Sequence, residues 1–328
     1  MDGELARICA DQRGFFFRWQ ALASGYTDEA IATKVRGKEW TRLRRGAYAV
    51  TGDVRRLDAA QLNVLVFRAV SARLDGDVVA AGPTALAALG VPMWGVPLDE
   101  VHVHRDPGKT SRTDAGVVHH LGDLRGDHVL EVDGMLVAAP ARAVVDAART
   151  VPFEAGVVLA DGARRLLRPD LDEVMDVLER QRDWAGSIVA SRVVKFSDGR
   201  AATVGESRGR VMIARLGLPA PDLQRRIEGS RGELIAITDY YFDGLDTAAE
   251  FDGRQKYGRE LYEKSNRHDE DVDLGDVVWR EKRREDAVRD EGHEMVRMVW
   301  FELDGHDRAV RQRFLRAFSR AGKRQLLA

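Results

Sequence analysis

The stretch YTDEAIATKVRGKEWTRLRRGAYAV, residues 26–50, decides how the chain begins to fold. Thr27 is a favourable helix N-cap residue, and Gly37 is a typical residue for ending the helix that follows. The strand-like pattern that follows predicts two strands, Thr41–Leu43 and Ala47–Val50, joined by a short basic turn. This stretch therefore predicts one helix followed by a β-hairpin.

Two further helices are predicted before this stretch. Residues 4–12 place apolar side chains on one helical face, and residues 18–24 form a shorter helical pattern. Helix, helix, turn, helix and hairpin is the element order of a winged helix. We therefore expect residues 1–53 to form a winged-helix DNA-binding domain.

Basic residues are concentrated at the end of the third helix and in the hairpin, where a winged helix meets the major groove and the DNA backbone. The candidate DNA contacts are Thr33, Lys34, Arg36, Lys38, Arg42, Arg44 and Arg45. Thr33, Lys34 and Arg36 are the candidates for base contacts. Asp28 and Glu29 lie in the first turn, where they would repel phosphates if they faced DNA. The alternative interpretation is a solvated charged hairpin in a small helical domain.

The composition is that of an ordinary folded protein. The 328 residues are 44% apolar and 32% charged, and the net charge is −2, so nucleic-acid binding must come from a local patch. Cys9 is the single cysteine, which excludes an intrachain disulfide and a multi-cysteine zinc site. The N-terminus lacks a signal-peptide pattern, and prolines and glycines interrupt the longest uncharged stretch, residues 78–98. We expect a cytoplasmic protein without a membrane span.

Residues 54–195 predict a middle domain of mixed helices and strands. The predicted helices cover 59–74, 82–89, 142–148, 153–167 and 171–194, and the predicted strands cover 101–104, 116–120 and 131–137. His102, His104, His119 and His120 could suggest a metal, but histidines that alternate along a strand are more often surface residues. We identify no catalytic motif in this domain.

Several segments of the first two domains form a distinctive set. They are YTDEAI at 26–31, VRG at 35–37, TRLRRGAY at 41–48, GPTALAALG at 82–90 and PARAVVD at 140–146. This set resembles the AbiE-type abortive-infection antitoxins over about half of the chain. The resemblance implies a repressor that binds DNA upstream of its own operon and opposes a nucleotidyltransferase-like toxin. The long C-terminal extension departs from that family.

Residues 196–328 predict a third domain. The predicted helices cover 204–216, 277–292 and 308–320, and the predicted strands cover 223–227, 233–241, 246–251 and 294–300. Helix, three strands, helix and strand form a compact α/β unit. The whole chain is therefore expected to be α/β, in the sense of an α+β multidomain protein.

Two carboxylates are expected at neighbouring strand ends of the third domain. Asp239 ends one predicted strand and Glu250 lies in the next, so both can meet around one Mg²⁺ ion. Such a metal can activate water and stabilise charge on a phosphate. We predict Glu206, Asp239 and Glu250 as metal ligands and Asp239, Glu250 and Lys256 as catalytic residues. A plain hairpin with acidic ends is the alternative.

The third domain is also similar to a known superfamily. The matching residues are Glu206, Asp239, Glu250, Asp252, Gly253, the segment EKRRED at 281–286 and the segment VRMVW at 296–300. They resemble the PD-(D/E)xK nucleases, and more closely their very-short-patch-repair-like branch, over roughly residues 200–305. The resemblance implies a restriction-endonuclease-like domain in which an acidic pair binds Mg²⁺ and a lysine follows the second acid by two residues. Asp252 occupies that position here, which leaves Lys256 or Lys282 for the role.

Three functions therefore stay open, and the third is a defence or toxin-antitoxin partner whose main surface meets another protein. The first is a DNA-binding protein that resembles the AbiE-type antitoxin repressors and carries a nuclease-like C-terminal domain. Its partners would be double-stranded DNA and a cognate toxin. The second is a Mg²⁺-dependent DNA endonuclease that the winged helix targets, with a role in phage defence. Mg²⁺ is a cofactor only if the C-terminal domain is active, because such a fold can also persist as a DNA-binding or dimerising scaffold.

Overall fold

A computed structural model describes most of the chain. The described residues are 1–104, 112–120, 124, 128–253 and 274–325. The chain forms two compact units, Met1–Ser197 and Asp198–Ala328. The described residues form helices and three β-sheets, which confirms the expected mixed α/β class. None of the helices within these residues is long and apolar enough to span a bilayer.

The N-terminal part of the first unit contains three helices and a three-stranded sheet. Its elements are α1 (Gly3–Asp11), β1 (Phe16–Phe17), α2 (Arg18–Ala23), α3 (Asp28–Arg36), β2 (Trp40–Arg44) and β3 (Ala47–Val50). Strand β3 lies between β1 and β2 and is antiparallel to both. Phe16, Ile31 and Trp40 are buried in one core. This is the order of elements expected for a winged helix.

Local capping explains where α3 begins and ends. The backbone N–H of Ala30 donates a hydrogen bond to the Thr27 hydroxyl at 3.1 Å, and Gly37 follows the last turn. Gly46 closes the hairpin with a φ of +79°, a conformation that glycine adopts at little cost. The helix and the hairpin therefore agree with the prediction from the sequence.

The rest of the first unit surrounds a six-stranded sheet. Its elements are α4 (Thr51–Val54), α5 (Ala59–Ser71), β4 (Val79–Ala80), α6 (Gly82–Ala88), β5 (Val101–His104), β6 (Arg112–Asp114), β7 (Val117–His120), β8 (Val129–Val132), β9 (Met135–Ala138), α7 (Pro140–Ala148), α8 (Phe153–Leu166), α9 (Leu171–Arg180) and α10 (Ser187–Phe196). The strand order is β6-β7-β5-β4-β9-β8. Leu86, Val103, Val145 and Leu159 are almost fully buried among these elements. Strand β5 thus lies inside the sheet and not at its edge.

One predicted strand of this unit is wrong. The single strand expected over 131–137 is a hairpin made of β8 and β9. Asp133 and Gly134 both have positive φ, of 53° and 73°, which is the conformation that reverses a chain in a two-residue hairpin turn. The apolar residues on either side of this turn therefore belong to two strands.

One predicted helix is also wrong. The single helix expected over 171–194 is two helices, α9 and α10, and Gly186 immediately precedes α10. Gly186 has a φ of +82°, and a Cβ at this position would collide with the carbonyl oxygen of Arg149. Only glycine fits this turn without strain, because it combines positive φ with a close backbone approach.

The second unit is built on a four-stranded sheet. Its elements are α11 (Val204–Arg215), β10 (Asp222–Glu228), β11 (Leu234–Phe242), β12 (Thr247–Asp252), α12 (Leu274–Asp290), β13 (Glu294–Val299), a 3₁₀ turn (Trp300–Leu303) and α13 (Asp307–Gln325). The strand order is β10-β11-β12-β13, in which the first three strands are antiparallel and β13 joins β12 in parallel. This element order agrees with the prediction from the sequence.

The two faces of this sheet pack against different helices. Tyr240 and Phe242 are buried with Met212 of α11 and with α13. Tyr241 is buried on the other face together with Val288 of α12. Because side chains alternate along a strand, the residue before Tyr240 faces the α12 side.

Candidate functional site

Asp239 and Glu250 lie opposite each other on neighbouring strands. The adjacent residues Tyr240 and Ala249 are antiparallel partners of β11 and β12, so the two carboxylates share one face of the sheet. The backbone N–H of Phe251 donates a hydrogen bond to Asp239 Oδ2 at 2.7 Å. The strand register therefore brings together the two acids that the sequence predicts as a pair.

Glu206 reaches this pair from the first turn of α11. Its Oε1 accepts a hydrogen bond from the Thr203 hydroxyl at 2.9 Å. Its Oε2 accepts from the Ala202 backbone N–H at 2.8 Å and from Gln224 Nε2 at 2.9 Å. Both carboxylate oxygens of Glu206 are therefore engaged, and the side chain acts on Asp239 through its charge.

A glycine permits this approach of helix and strand. A Cβ on Gly205 would collide with the aromatic ring of Phe251 in β12. The hydroxyl of Tyr240 also donates to the backbone carbonyl oxygen of Glu206 at 2.7 Å. The start of α11 is thus positioned by contacts from both β11 and β12.

Burial and crowding disturb the ionisation of the two carboxyls. Burial, followed by the charge of Glu206, raises the pKa of Asp239 to about 6. Burial and the charge of Asp239 also raise the pKa of Glu250, and Arg284 opposes this rise. Paired acids with raised pKa values are typical of functional sites, although structural networks also produce them.

Arginines from α12 and β13 balance part of this negative charge. Arg284 Nη2 donates a hydrogen bond to Glu250 Oε2 at 2.8 Å. Arg297 lies 3.8 Å from Asp252, which occupies the position where the superfamily has lysine. Lys256 lies outside the described residues, and Lys282 is exposed on α12.

Asp239 and Glu250 are the two side chains that could hold a divalent cation at this site. The Oε1 atom of Glu250 is buried and has no hydrogen-bond partner within the described part of the chain. Carboxylate oxygens are the ligands that Mg²⁺ prefers, so the pair fits such an ion. Among the described residues no three His, Cys, Asp or Glu side chains form a ready metal site. Glu206, the predicted third ligand, is therefore not grouped with Asp239 and Glu250 as a metal site.

The predicted DNA-contact residues divide into exposed and engaged groups. Thr33, Arg36, Lys38, Arg42 and Arg45 are exposed. Lys34 Nζ is 2.6 Å from Glu39 Oε2 and is therefore engaged in an ion pair. Arg44 is only partly exposed. Basic side chains of α3 and of the hairpin are thus exposed, and Lys34 is partly neutralised.

The expectation that the strand histidines lie on the surface is wrong for His102 and His104. Both are buried, because β5 is an inner strand that helices cover. His104 Nε2 lies 2.8 Å from Asp146 Oδ2, and His102 Nδ1 lies 2.8 Å from His120 Nε2. The sequence shows the residues of this network but not their burial, which depends on the strand order.

Asp146 joins α7 and the C-terminal end of α9 to this buried network. Arg142 Nε donates to Asp146 Oδ2 at 2.8 Å, and Gln181 Nε2 donates to Asp146 Oδ1 at 2.9 Å. Burial lowers the pKa of His102 to about 4 and that of His120 to about 3, so both imidazoles are neutral at ordinary pH. This polar network connects α7, the end of α9 and β5 within the core, and the buried Nδ1 of His104 has no hydrogen-bond partner among the described residues.

Comparison with known proteins identifies relatives. The chain is 32% identical over 184 residues to "Uncharacterized protein Rv2248" of Mycobacterium tuberculosis (strain ATCC 25618 / H37Rv), a match that covers 55% of this chain and 67% of that protein. The figures are the same for "Uncharacterized protein MT2308" of Mycobacterium tuberculosis (strain CDC 1551 / Oshkosh). No family model matches the chain. Neither relative's name states an activity, so the function is argued from the geometry described above.

Proposed function

The chain belongs to the family of the Mycobacterium tuberculosis protein Rv2248, and we propose that it is a DNA-binding protein. Its residues 1–53 would contact double-stranded DNA. One observation carries the proposal, the exposed basic surface of α3 and the hairpin. Thr33 and Arg36 share an exposed face of α3, and Arg42 and Arg45 are exposed on the hairpin. Such a surface suits a helix in the major groove beside a hairpin on the backbone.

The acidic residues of this surface are partly neutralised, which supports the proposal. Arg18 pairs with Asp28 in the first turn of α3, and Lys34 pairs with Glu39. The repulsion of phosphates by these two acids is therefore reduced. Glu29 stays exposed at the same end of α3. Base contacts are thus expected from the C-terminal half of this helix.

A salt titration tests the proposal. The AbiE-type resemblance points to the DNA upstream of the chain's own gene as the target and to the cytoplasm as the location. The double variant Arg42→Ala with Arg45→Ala is expected to reduce the salt dependence of binding by about two units, since each lost phosphate contact removes about one. Arg165→Ala, an exposed arginine in α8, is the control. Absence of binding by the wild-type chain, or an unchanged slope in the double variant, contradicts the proposal.

A second candidate function is hydrolysis of a DNA phosphodiester with Mg²⁺. The specific observation in its favour is the opposed pair Asp239 and Glu250 with the unpartnered Oε1 of Glu250. Two crowded carboxyls with raised pKa values have excess negative charge that a divalent cation would compensate. The resemblance to PD-(D/E)xK nucleases points to the same pair.

Each residue of the pair has a defined part in this second function. Asp239 and Glu250 would hold the ion, and Mg²⁺, when bound, supplies positive charge to the phosphoryl group under attack. Asp239, with a pKa of about 6, is mostly ionised at neutral pH and offers oxygen ligands. Arg284 hydrogen-bonds Glu250 Oε2 and leaves Oε1 available. Gln224 supports Glu206 beside the pair.

Thermal unfolding and DNA cleavage together test this function. Mg²⁺ is expected to raise the unfolding temperature of the wild-type chain, because a ligand that binds the folded state stabilises it. Glu250→Gln should lose both this shift and any nicking of plasmid DNA. Asp243→Asn, which removes an exposed acid of the same unit, should keep both. An equal Mg²⁺ shift in the two variants, or none in the wild type, contradicts binding at this pair.

A further inference from the structure

Arg73, just beyond α5, lies against the basic hairpin. Its Nη1 donates a hydrogen bond to the carbonyl oxygen of Arg45 at 3.3 Å. The same nitrogen is 3.2 Å from the position that a Cβ on Gly46 would take. The glycine therefore leaves room for this guanidinium next to the hairpin turn. Arg44 and Arg73 are distant in sequence, and the fold brings them together.

Aromatic rings hold Arg73 in this position. Its guanidinium carbon lies 5.9 Å from the centroid of the Phe17 ring, and Phe17 stacks on Trp19 with centroids 6.5 Å apart. A cation–π contact orients a planar guanidinium and leaves its charge in place. Trp19 is 65% exposed, so the aromatic pair opens onto the surface beside the hairpin.

The positive charges of Arg44 and Arg73 are only partly compensated within the described residues. Burial lowers the pKa of Arg44, and the positive charge of Arg73 lowers it further. Asp114 offsets part of this effect but forms no ion pair with Arg44. Two like charges held close together raise the free energy of the site, and an anion between them would lower it.

We propose that Arg44 and Arg73 together bind one phosphate group of a DNA backbone. The inference rests on the proposed DNA binding by residues 1–53 and extends that surface to the end of α5. Guanidinium groups donate paired hydrogen bonds to phosphate oxygens, which makes arginine well suited to this contact. Arg73 lies outside the predicted winged helix, so the sequence pattern does not identify it.

Fluorescence anisotropy with the full chain tests the shared site. The probe is a labelled duplex from the region upstream of the chain's own gene, titrated at several salt concentrations. Arg44→Ala and Arg73→Ala are each expected to weaken binding about tenfold with little change in the salt slope, because one guanidinium still neutralises the phosphate. The double variant should lower the slope by about 0.9 and lose less affinity than the product of the two single losses, because both side chains contact one phosphate. Arg165→Ala is the charge-matched control.

Three results would overturn the shared site. Single variants that bind like Arg165→Ala would show that Arg44 and Arg73 contact no phosphate. A double variant that loses the product of the single losses, with a slope lowered by about 1.8, would show two separate phosphates. In both cases binding by the wild type still supports the DNA-binding function, whereas absence of that binding refutes both proposals. If Arg73→Ala fails to fold, Arg73→Lys takes its place in the test. Lysine keeps the positive charge but lacks the paired donors of the guanidinium, so an intermediate loss of DNA affinity is expected.

Discussion

Replacement of Asp239 by asparagine is expected to stabilise the second unit at neutral pH. Burial, followed by the charge of Glu206, raises the pKa of this carboxyl from 3.8 to about 6. Each pKa unit corresponds to about 1.4 kcal/mol, so ionised Asp239 costs the folded state up to about 3 kcal/mol. Asparagine removes the charge, and its amide oxygen can still accept the hydrogen bond from the Phe251 N–H.

The expected gain depends on pH. The folded protein binds the Asp239 proton more tightly than the unfolded chain does, because the folded pKa is the higher of the two. The cost is therefore absent below about pH 4, grows between about pH 4 and 6, and is complete at higher pH. Asp239→Asn should thus stabilise the protein by up to about 3 kcal/mol at neutral pH and by almost nothing near pH 3.5.

Urea unfolding of the full chain at these two pH values measures the effect. Hydrogen exchange of peptides from β11 and β12 assigns the change to the second unit. Asp243→Asn is the matched control, because Asp243 is an exposed acid just after β11. A stability change in Asp239→Asn that is the same at both pH values, or a loss of stability at neutral pH, would refute the reasoning. A gain at neutral pH together with loss of the Mg²⁺ shift would show a site that trades stability for ion binding.

Two further perturbations concern the first unit. Acid is expected to destabilise this unit. Burial lowers the pKa of His102 to about 4 and that of His120 to about 3. As the pH falls below about 6.5, these histidines therefore bind protons in the unfolded chain before they do so in the folded protein. His102 alone accounts for up to about 3 kcal/mol by pH 4, and urea unfolding with constant stability between neutral pH and pH 4.5 would contradict this expectation. Gly186→Ala is expected to lower the free energy of unfolding by about 2–4 kcal/mol in thermal or urea unfolding, because it adds a backbone collision to positive φ. Gly217→Ala, at a φ of +66° in open space, should cost about 1 kcal/mol, and equal losses in the two variants would refute the collision.

Local sequence signals account for most of the element boundaries. Thr27 and Gly37 delimit α3 because capping depends on residues within one or two turns of the helix. The wrong interpretations at 131–137 and 171–194 missed local signals of the same kind. Asp133 and Gly134 form a dipeptide typical of two-residue hairpin turns, and Gly186 marks the break between the two helices.

The candidate carboxylate site is only partly readable from the sequence. Asp239 and Glu250 could be predicted as a pair, because neighbouring strands of a hairpin bring such positions together. The contact of Gln224 with Glu206 and the contact of Arg284 with Glu250 could not, because these groups lie on different elements of the chain. Helix packing decides which cation meets which carboxylate.

Residue type and short-range spacing account for the order of helices and strands, the basic character of the hairpin and the presence of paired acids. The packing of the whole chain decides which of these groups meet. It buries His102 through the strand order, places Arg73 against the carbonyl oxygen of Arg45 and pairs Lys34 with Glu39. Burial and long-range charge are properties of the packed chain, and they decide whether a predicted residue is available to bind.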